Sequence, residues 1–471
     1  MAQNPIHFGT SGWRGIIADD FTFANVRVAC AAIAHYLLQQ AGKPVVVVGY
    51  DTRFLSERFA ETAAVVLASH GLEVHSTSRP HPTPTLSYEI RNRGLQGGIN
   101  FTASHNPAEY NGLKFSSADG APALPEVTRQ IEALAERVLA GDYSAQGPMF
   151  SAALRKMTDP RPAYLQAIRA KVDLKAIGEA KLKVACDPLY GTARGYLDDL
   201  LRETGVELKV IHDYRDVMFS GVGPEPSQKN LEELSGVVAQ SGFSVGLSTD
   251  GDADRFGIVD ADGTWIHPNY ILGILADYLM DVRKVEGGLG RSVATTHLLD
   301  AVARHHKAPL YQTPVGFKYI GELLNQDKIA LGGEESAGLT IRGHLPEKDG
   351  ILACLLVAEA VARRGQSVKQ QIQELFRKVG SYYSERINLK LDASAQKRLV
   401  QKLKADPAQF EGRAIARIDR TDGLKMVMAE DRWVLMRLSG TEPVVRVYCE
   451  APSLKELGEL VESAKKFALN P

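Results

Sequence analysis

The sequence predicts three α/β units followed by a carboxyl-terminal α+β unit, and three observations carry that prediction. Helical apolar spacing alternates with short β-branched runs from the amino terminus to about residue 378. The alternation is interrupted by a Pro/Gly/Ser-rich patch, Gly141 to Ser151, and by Asp159-Pro160-Arg161-Pro162, after which it restarts. Over the last hundred residues strand-like runs instead follow one another, with one closing helix. The expected boundaries are 1–150, 151–256, 257–378 and 379–471.

In the first unit, Phe23 to Gln40 carries helical spacing and ends near Gly42, Pro44 to Gly49 is a strand, and Glu57 to Leu67 is helical again. This alternation predicts a parallel sheet covered on both faces. Gly97-Gly98-Ile99-Asn100-Phe101 reads as a buried strand, and Asn106-Pro107 then demands a turn. Ser104 therefore falls at a strand's carboxyl end, where open α/β sheets place ligands; a solvated turn is the plainer reading. Gly9 to Gly15 reads as a loop, either a plain turn or an anion cradle.

In the second unit, Lys181 to Cys186, Val206 to Ile211 and Phe243 to Leu247 are expected strands, and Thr192 to Glu203 a helix. Phe256 to Val259 and Thr264 to Ile266 form a hairpin around Asp262-Gly263. The third unit has strands near Ser292 to Thr295, Leu310 to Gln312 and Ile329 to Leu331. The fourth has Arg386 to Leu391, Ala414 to Asp419, Leu424 to Ala429, Trp433 to Leu438 and Val444 to Cys449, closed by a helix from Leu454 to Phe467.

Composition narrows the function. Fifty-five basic against 56 acidic residues give a net charge of −1, so there is no global field for nucleic acid or anionic lipid, and any anion site is local. Cys30, Cys186, Cys354 and Cys449 are widely spaced, which suits free thiols in a reducing compartment. The amino terminus lacks a signal peptide's apolar core, and no apolar run nears the ~18 residues that span a bilayer. A cytoplasmic location is expected, with no nucleic-acid or membrane partner, and the totals leave monomer and dimer open.

Four loops carry chemistry. Asp250, Asp252 and Asp254 alternate, so their carboxylates can converge on one hard cation, with room left for a phosphate. An EF-hand loop is excluded, because Arg255 stands where glycine is required and Ala261 where glutamate is; a solvated acidic turn stays open. Glu334-Glu335-Ser336 between glycines suits neutral hydroxyls, or a charged surface turn. Arg437, Ser439, Gly440, Thr441 and nearby Arg446 supply what a phosphate dianion needs, or else an ordinary strand-end turn. The remaining loop is Thr102 to Pro107. There is no Walker loop, no complete dinucleotide fingerprint, no Gly-x-Ser-x-Gly elbow and no His-Glu-x-x-His.

These loops, in this order, resemble the α-D-phosphohexomutase family, which includes phosphoglucomutases, phosphomannomutases and phosphoglucosamine mutases. Thr102-Ala103-Ser104-His105-Asn106-Pro107 and Asp250-Gly251-Asp252-Ala253-Asp254-Arg255 carry the resemblance, supported by Gly9 to Gly15, Gly49 to Arg53 and Asn111 to Lys114. The resemblance implies three α/β mixed-sheet domains and an α+β domain around a central cleft. It implies that Ser104 is phosphorylated and completes a Mg²⁺ site with Asp250, Asp252 and Asp254. Glu334 and Ser336 would hold sugar hydroxyls, and Arg437, Ser439, Gly440, Thr441 and Arg446 the phosphate not being transferred. Arg14, Lys114 and Arg255 would surround the reacting phosphate.

In that scheme phospho-Ser104 donates to a hexose phosphate, and the resulting 1,6-bisphosphate reorients and returns its other phosphate. Glucose 1,6-bisphosphate would be the activator. Lys114 is a candidate general base, its pKa depressed by neighbouring cations, or a purely electrostatic group; His105 shapes the loop. Gly338 stands where dual-specificity phosphomannomutases have histidine, and Pro314-Val315-Gly316-Phe317-Lys318 resembles the phosphoglucomutase version of the specificity loop. Both favour glucose phosphate, with a phosphomannomutase or a dual-specificity phosphomannomutase/phosphoglucomutase as the alternative. A Mg²⁺-dependent sugar phosphatase and a non-catalytic sugar-phosphate sensor are the rival classes.

Overall fold

The computed structural model of the chain describes residues 5–147, 151–429, 431–438 and 444–469. Four sheets organise it. The first runs, edge to edge, Trp13–Ile16, Tyr110–Ser117, Gly97–Phe101, Val45–Tyr50, Glu73–Thr77 and Arg155–Thr158. Its centre is the valine run, whose β-branched side chains are buried as a strand covered on both faces requires. The helix Phe23–Gln40 covers it, starting where Thr22 Oγ1 accepts from Asn25 N at 3.2 Å.

The second sheet runs Trp265–Ile266, Phe256–Asp260, Val245–Thr249, Lys183–Asp187 and Glu207–Val210, and the third Leu310–Thr313, Gly288–Ser292, Ile329–Glu334 and Gly338–Ile341. One local device recurs in all three. A strand with a parallel neighbour turns back directly into an antiparallel one: Gly97–Phe101 into Tyr110–Ser117, Val245–Thr249 into Phe256–Asp260, and Ile329–Glu334 into Gly338–Ile341. The three returning loops contain Ser104, the aspartate trio and Glu335-Ser336.

The second and third units share one hydrophobic core that extends from Tyr164 to Tyr382, whereas the first has its own. The helix Gly350–Arg364 lies within the shared core, where Cys354 Sγ donates to Ser248 O at 3.3 Å. The fourth sheet is antiparallel throughout, from Tyr383–Lys390 at one edge to Gln409–Phe410 at the other. One face rests on the helices Ala393–Lys402 and Leu454–Leu469. Its other face docks on the third unit through Val293, Ala294, Trp433, Leu435 and Tyr448. Lys425 Nζ pins that contact by donating to Val293 O at 2.8 Å.

Several expectations are corrected. The first sheet is mixed, as the resemblance implies, rather than the parallel sheet that alternation alone predicts, because Tyr110–Ser117 and Trp13–Ile16 run antiparallel. Trp13–Ile16 is thus a strand where a loop was expected. The first sheet takes its sixth strand from Arg155–Thr158, past the boundary expected at 150. The second keeps Phe256–Asp260 and Trp265–Ile266, past the boundary expected at 256. The strand expected at Ser292 to Thr295 is Gly288–Ser292 instead. There a Cβ on Gly288 would stand 2.6 Å from Pro309 O, so close packing replaces β-branching as the selecting force. The helix expected from Thr192 begins only at Leu197, because residues 191–195 form turns against the aspartate loop, with Gly191 against Gly251. No helix among the described residues is long and apolar enough to cross a membrane.

Candidate active site

Ser104 lies in the left-handed region, φ +53°, and is buried. Its backbone is held from two sides. Ser104 N donates to Thr102 Oγ1 at 2.8 Å, and Arg53 threads the loop from beneath. Arg53 Nη2 donates to Ser104 O at 2.7 Å and Asn106 O at 2.5 Å, and its Nη1 to Pro107 O at 2.7 Å and Tyr110 O at 3.1 Å. Asp51 lies 3.2 Å from Arg53 Nε, so this buried guanidinium has a counter-charge. Charged hydrogen bonds of this kind contribute ~1.5–3 kcal/mol each, enough to keep a non-glycine residue at positive φ.

The aspartate loop meets Ser104 from the second unit. Ser104 Oγ donates to Asp250 Oδ2 at 2.6 Å, while Asp250 Oδ1 accepts from Asp254 N and Arg255 N, both at 3.0 Å. Gly251 is required here, since a Cβ would stand 2.8 Å from Ser104 O. Asp252 Oδ2 accepts from Thr83 Oγ1 at 2.5 Å and Lys114 Nζ at 2.6 Å. Asp254 Oδ2 takes Lys114 Nζ at 2.7 Å and Lys348 Nζ at 3.2 Å. Oxygens of the three aspartates lie within 4.8 Å of one another.

Two oxygens in this cluster, Asp252 Oδ1 and Asp254 Oδ1, are buried without a hydrogen-bond partner. Orphaned carboxylate oxygens are costly in a low dielectric, and a hard divalent cation accepts such ligands. The donor set therefore fits Mg²⁺, with Asp250 and Ser104 Oγ beside it. The electrostatics agree. Burial, then Asp254 and Asp252, push the Asp250 carboxyl well above its ordinary range. Burial also acts upward on Asp254, but Lys114, Lys348 and Arg255 outweigh it and hold that carboxyl far below.

The expected basic residues do gather here. Arg14 Nη1 donates to Asn106 Oδ1 at 2.5 Å, and burial together with Arg255 lowers it to about 10. His105 Nδ1 is 3.3 Å from Ser104 Oγ, and burial, Arg255 and Arg14 hold its ring neutral. Lys114 departs from expectation. Burial does act to lower it, but Asp252 and Asp254 overcome that, and its pKa is raised rather than depressed.

At the sugar-reading loop, Glu334 is buried and its Oε1 accepts from Gly316 N at 2.7 Å. Burial and then Glu335 raise its carboxyl to about 7. Glu335, not Glu334, lines a cavity of about 390 Å³ with Ser336, Arg255, Arg386, Trp433 and Tyr448. Lys318 is nearly buried at the start of the helix Phe317–Asn325, 5.6 Å from the Tyr319 ring centroid, and burial lowers its pKa. Gly338 has a packing reason: a Cβ there would lie 2.3 Å from Lys348 Cδ.

In the fourth unit Arg437 and Arg446 pair across adjacent strands, and Arg437 Nε lies 2.8 Å from Asp422 Oδ1. Ser439, Gly440 and Thr441 lie outside the described residues. Sequence reasoning singled out neither Arg53 as the loop's staple nor Lys348, Thr83 and Asp422, and it gave Glu335 only as one of a glutamate pair. Arg53 had a signal in the Gly49 to Arg53 run, whereas Thr83 and Lys348 reach the aspartate loop of another unit and Asp422 reaches Val315 N across units.

Four family profiles match the chain: Phosphoglucomutase/phosphomannomutase alpha/beta/alpha domains I, II and III, at residues 5–142, 162–263 and 267–379, and the C-terminal domain at 387–466. A phosphoglucomutase/phosphomannomutase of Thermococcus kodakarensis is 31% identical over 463 residues, 98% of each chain. A phosphoglucomutase of Komagataeibacter xylinus is 29% identical, covering 96% of this chain and 88% of the relative. A crystal structure from Thermus thermophilus, described as a candidate phosphomannomutase, superposes with a TM-score of 0.86 at 36% identity, covering 98% of both chains.

Proposed function

We propose a function from one premise: the chain belongs to the phosphoglucomutase/phosphomannomutase family of α-D-phosphohexomutases. Within it, our reading is a phosphoglucomutase that interconverts glucose 1-phosphate and glucose 6-phosphate. The observation that carries it is Ser104 Oγ, 2.6 Å from Asp250 Oδ2 beside two orphaned aspartate oxygens. A nucleophilic oxygen, a cation site and a ring of basic side chains meet at one point. Four buried free thiols suit a cytoplasmic setting.

Asp250, Asp252 and Asp254, with Ser104 or its phosphate, would hold Mg²⁺, which supplies neutralisation of the phosphoryl oxygens when bound. The chain's own residues do the rest. A hydroxyl of the hexose phosphate attacks phospho-Ser104, the P–Oγ bond breaks as the P–O bond to sugar forms, and the proton that the sugar hydroxyl loses is balanced by the one that the departing Oγ takes up, which returns Ser104 to the hydroxyl that donates to Asp250. The bisphosphate turns over, and Ser104 Oγ attacks its other phosphorus to regenerate the phosphoserine. Arg14 and Arg255 balance the charge spread over the transferring group. Lys114, whose Nζ donates to Asp252 and Asp254, adds positive charge beside the transferring group. Arg437 and Arg446, with Ser439, Gly440 and Thr441, hold the phosphate that is not transferred. Ser336 and the two glutamates read the sugar hydroxyls, and Lys318 lies beside them. Glucose 1,6-bisphosphate primes Ser104 as activator.

Glucose is supported by the loop Pro314 to Lys318. Gly338 supports it less than its sequence context suggests, because a Cβ there would already crowd Lys348 Cδ at 2.3 Å. That, with a relative named for both sugars, favours dual glucose and mannose specificity as the second reading.

Incubation with Mg²⁺, glucose 1-phosphate and a trace of glucose 1,6-bisphosphate tests the proposal. Glucose 6-phosphate must form, and intact mass must show a phosphate adduct that Ser104→Ala lacks. Release of inorganic phosphate instead would make the protein a phosphatase, and no turnover would leave a sensor. Parallel kinetics on mannose 1-phosphate separate the two sugar readings.

A further inference from the structure

The phosphate grip and the sugar-reading loop belong to different units, yet one carboxylate touches both. Asp422 lies in the turn before the strand Leu424–Met428 of the fourth sheet. Its Oδ1 is 2.8 Å from Arg437 Nε, and its Oδ2 accepts from Val315 N at 3.2 Å. The next backbone N–H, that of Gly316, donates to Glu334 Oε1 at 2.7 Å. Two carboxylates, one from each unit, thus hold consecutive amides of the loop Pro314 to Lys318. Gly316 has φ +133°, a conformation that side chains rarely adopt, so the loop's path is narrowly set. Arg437 is held as well, through the ion pair of its Nε with Asp422 Oδ1, which draws the guanidinium toward the loop.

We propose that Asp422 is a positioning residue that registers the distal phosphate grip to the sugar-reading loop, so that phosphate affinity and discrimination between epimeric hexoses are coupled through one side chain. The proposal rests on the phosphohexomutase reading, in which Arg437 meets phosphate and the loop meets sugar. Loss of the carboxylate frees the arginine and the loop together. Loss of its charge alone frees only the arginine, because an asparagine oxygen still accepts from Val315 N.

Equilibrium binding of glucose 1-phosphate and of mannose 1-phosphate to the full chain, measured by calorimetry, tests this without requiring turnover. Asp422→Ala is expected to weaken both ligands about fivefold, the size of one partly exposed ion pair, and to change their affinity ratio by about threefold or more. Asp422→Asn is expected to weaken both while keeping the ratio within about twofold. Wild-type affinities in Asp422→Ala, or an unchanged ratio in that variant, overturn the proposal, as does the absence of binding by the wild type. Should Asp422→Ala fail to fold, wild-type affinity in Asp422→Asn overturns it and weakened affinity at a constant ratio supports it. A wild type that binds but does not turn over sinks the mutase reading, while the binding ratios still decide the role of Asp422.

Discussion

Around Ser104 the polar side chains are sealed inside the protein, and most of their partners are backbone atoms or fixed charges. Arg53, Asp250, Asp252 and Asp254 are each at most 1% exposed. Around Arg437 the partners are fewer and water reaches them: its side chain is 13% exposed and that of Asp422 23%. Glu335 and Ser336 face an open cavity. One end of the cleft is preorganised where charge must move, which is where electrostatic catalysis gains most. On the proposed function the other end would meet phosphate and hydroxyls in both orientations of a bisphosphate, and a less constrained surface suits that task.

Four changes break or sharpen this contrast. The largest effect belongs to Ser104→Ala, which should lower mutase turnover by roughly 10³-fold or more while leaving sugar-phosphate binding measurable by calorimetry. Residual turnover near wild type would place the chemistry elsewhere. Next comes Arg53→Lys, which replaces a fork serving four carbonyls with a point charge. It should cost about 2–4 kcal/mol in denaturant unfolding and lower kcat more than it raises KM. An equal loss at the distal end, seen as weaker phosphate binding, would erase the contrast.

A pH effect follows from Glu334. Its folded carboxyl sits at about 7 against an ordinary 4.5, so the folded state binds more protons between those values. Its contribution to stability is full below about 4.5 and lost as pH rises through about 7. Unfolding curves across that window should show stability falling with pH more steeply in the wild type than in Glu334→Gln; identical slopes would remove Glu334 from the account. The smallest effect is that of Gly338→Ala. The added methyl meets Lys348 Cδ, which can move, so about 1–2 kcal/mol of destabilisation is expected. Its real readout is a rise in the Mg²⁺ concentration needed for half-maximal activity, since Lys348 also holds Asp254.

Legibility in the sequence followed the range of the forces involved. The strands that end at Phe101, Thr249 and Glu334 were readable because a short apolar run and a following turn are local signals. Trp13–Ile16 was missed because it is an edge strand defined by its partner a hundred residues on, and Trp-Arg-Gly-Ile has no period of its own. Gly288–Ser292 was displaced because Gly288 answers to Pro309 and Tyr311 rather than to strand propensity. Among site residues, Ser104 and the aspartates announced themselves by motif. The carboxylates that face Lys114 were legible as residues but not as its neighbours, so its pKa was expected to move the wrong way.

The core shared by the second and third units has a consequence for how the protein comes apart. The strand Val245–Thr249 and the helix Gly350–Arg364 belong to different family domains yet bury each other's side chains. Neither domain retains a closed interior without the other, so together they form one cooperative block in denaturation. A calorimetric scan would then count fewer melting events than there are sheets, and a proteolytic nick near residue 265 would leave two pieces still held together.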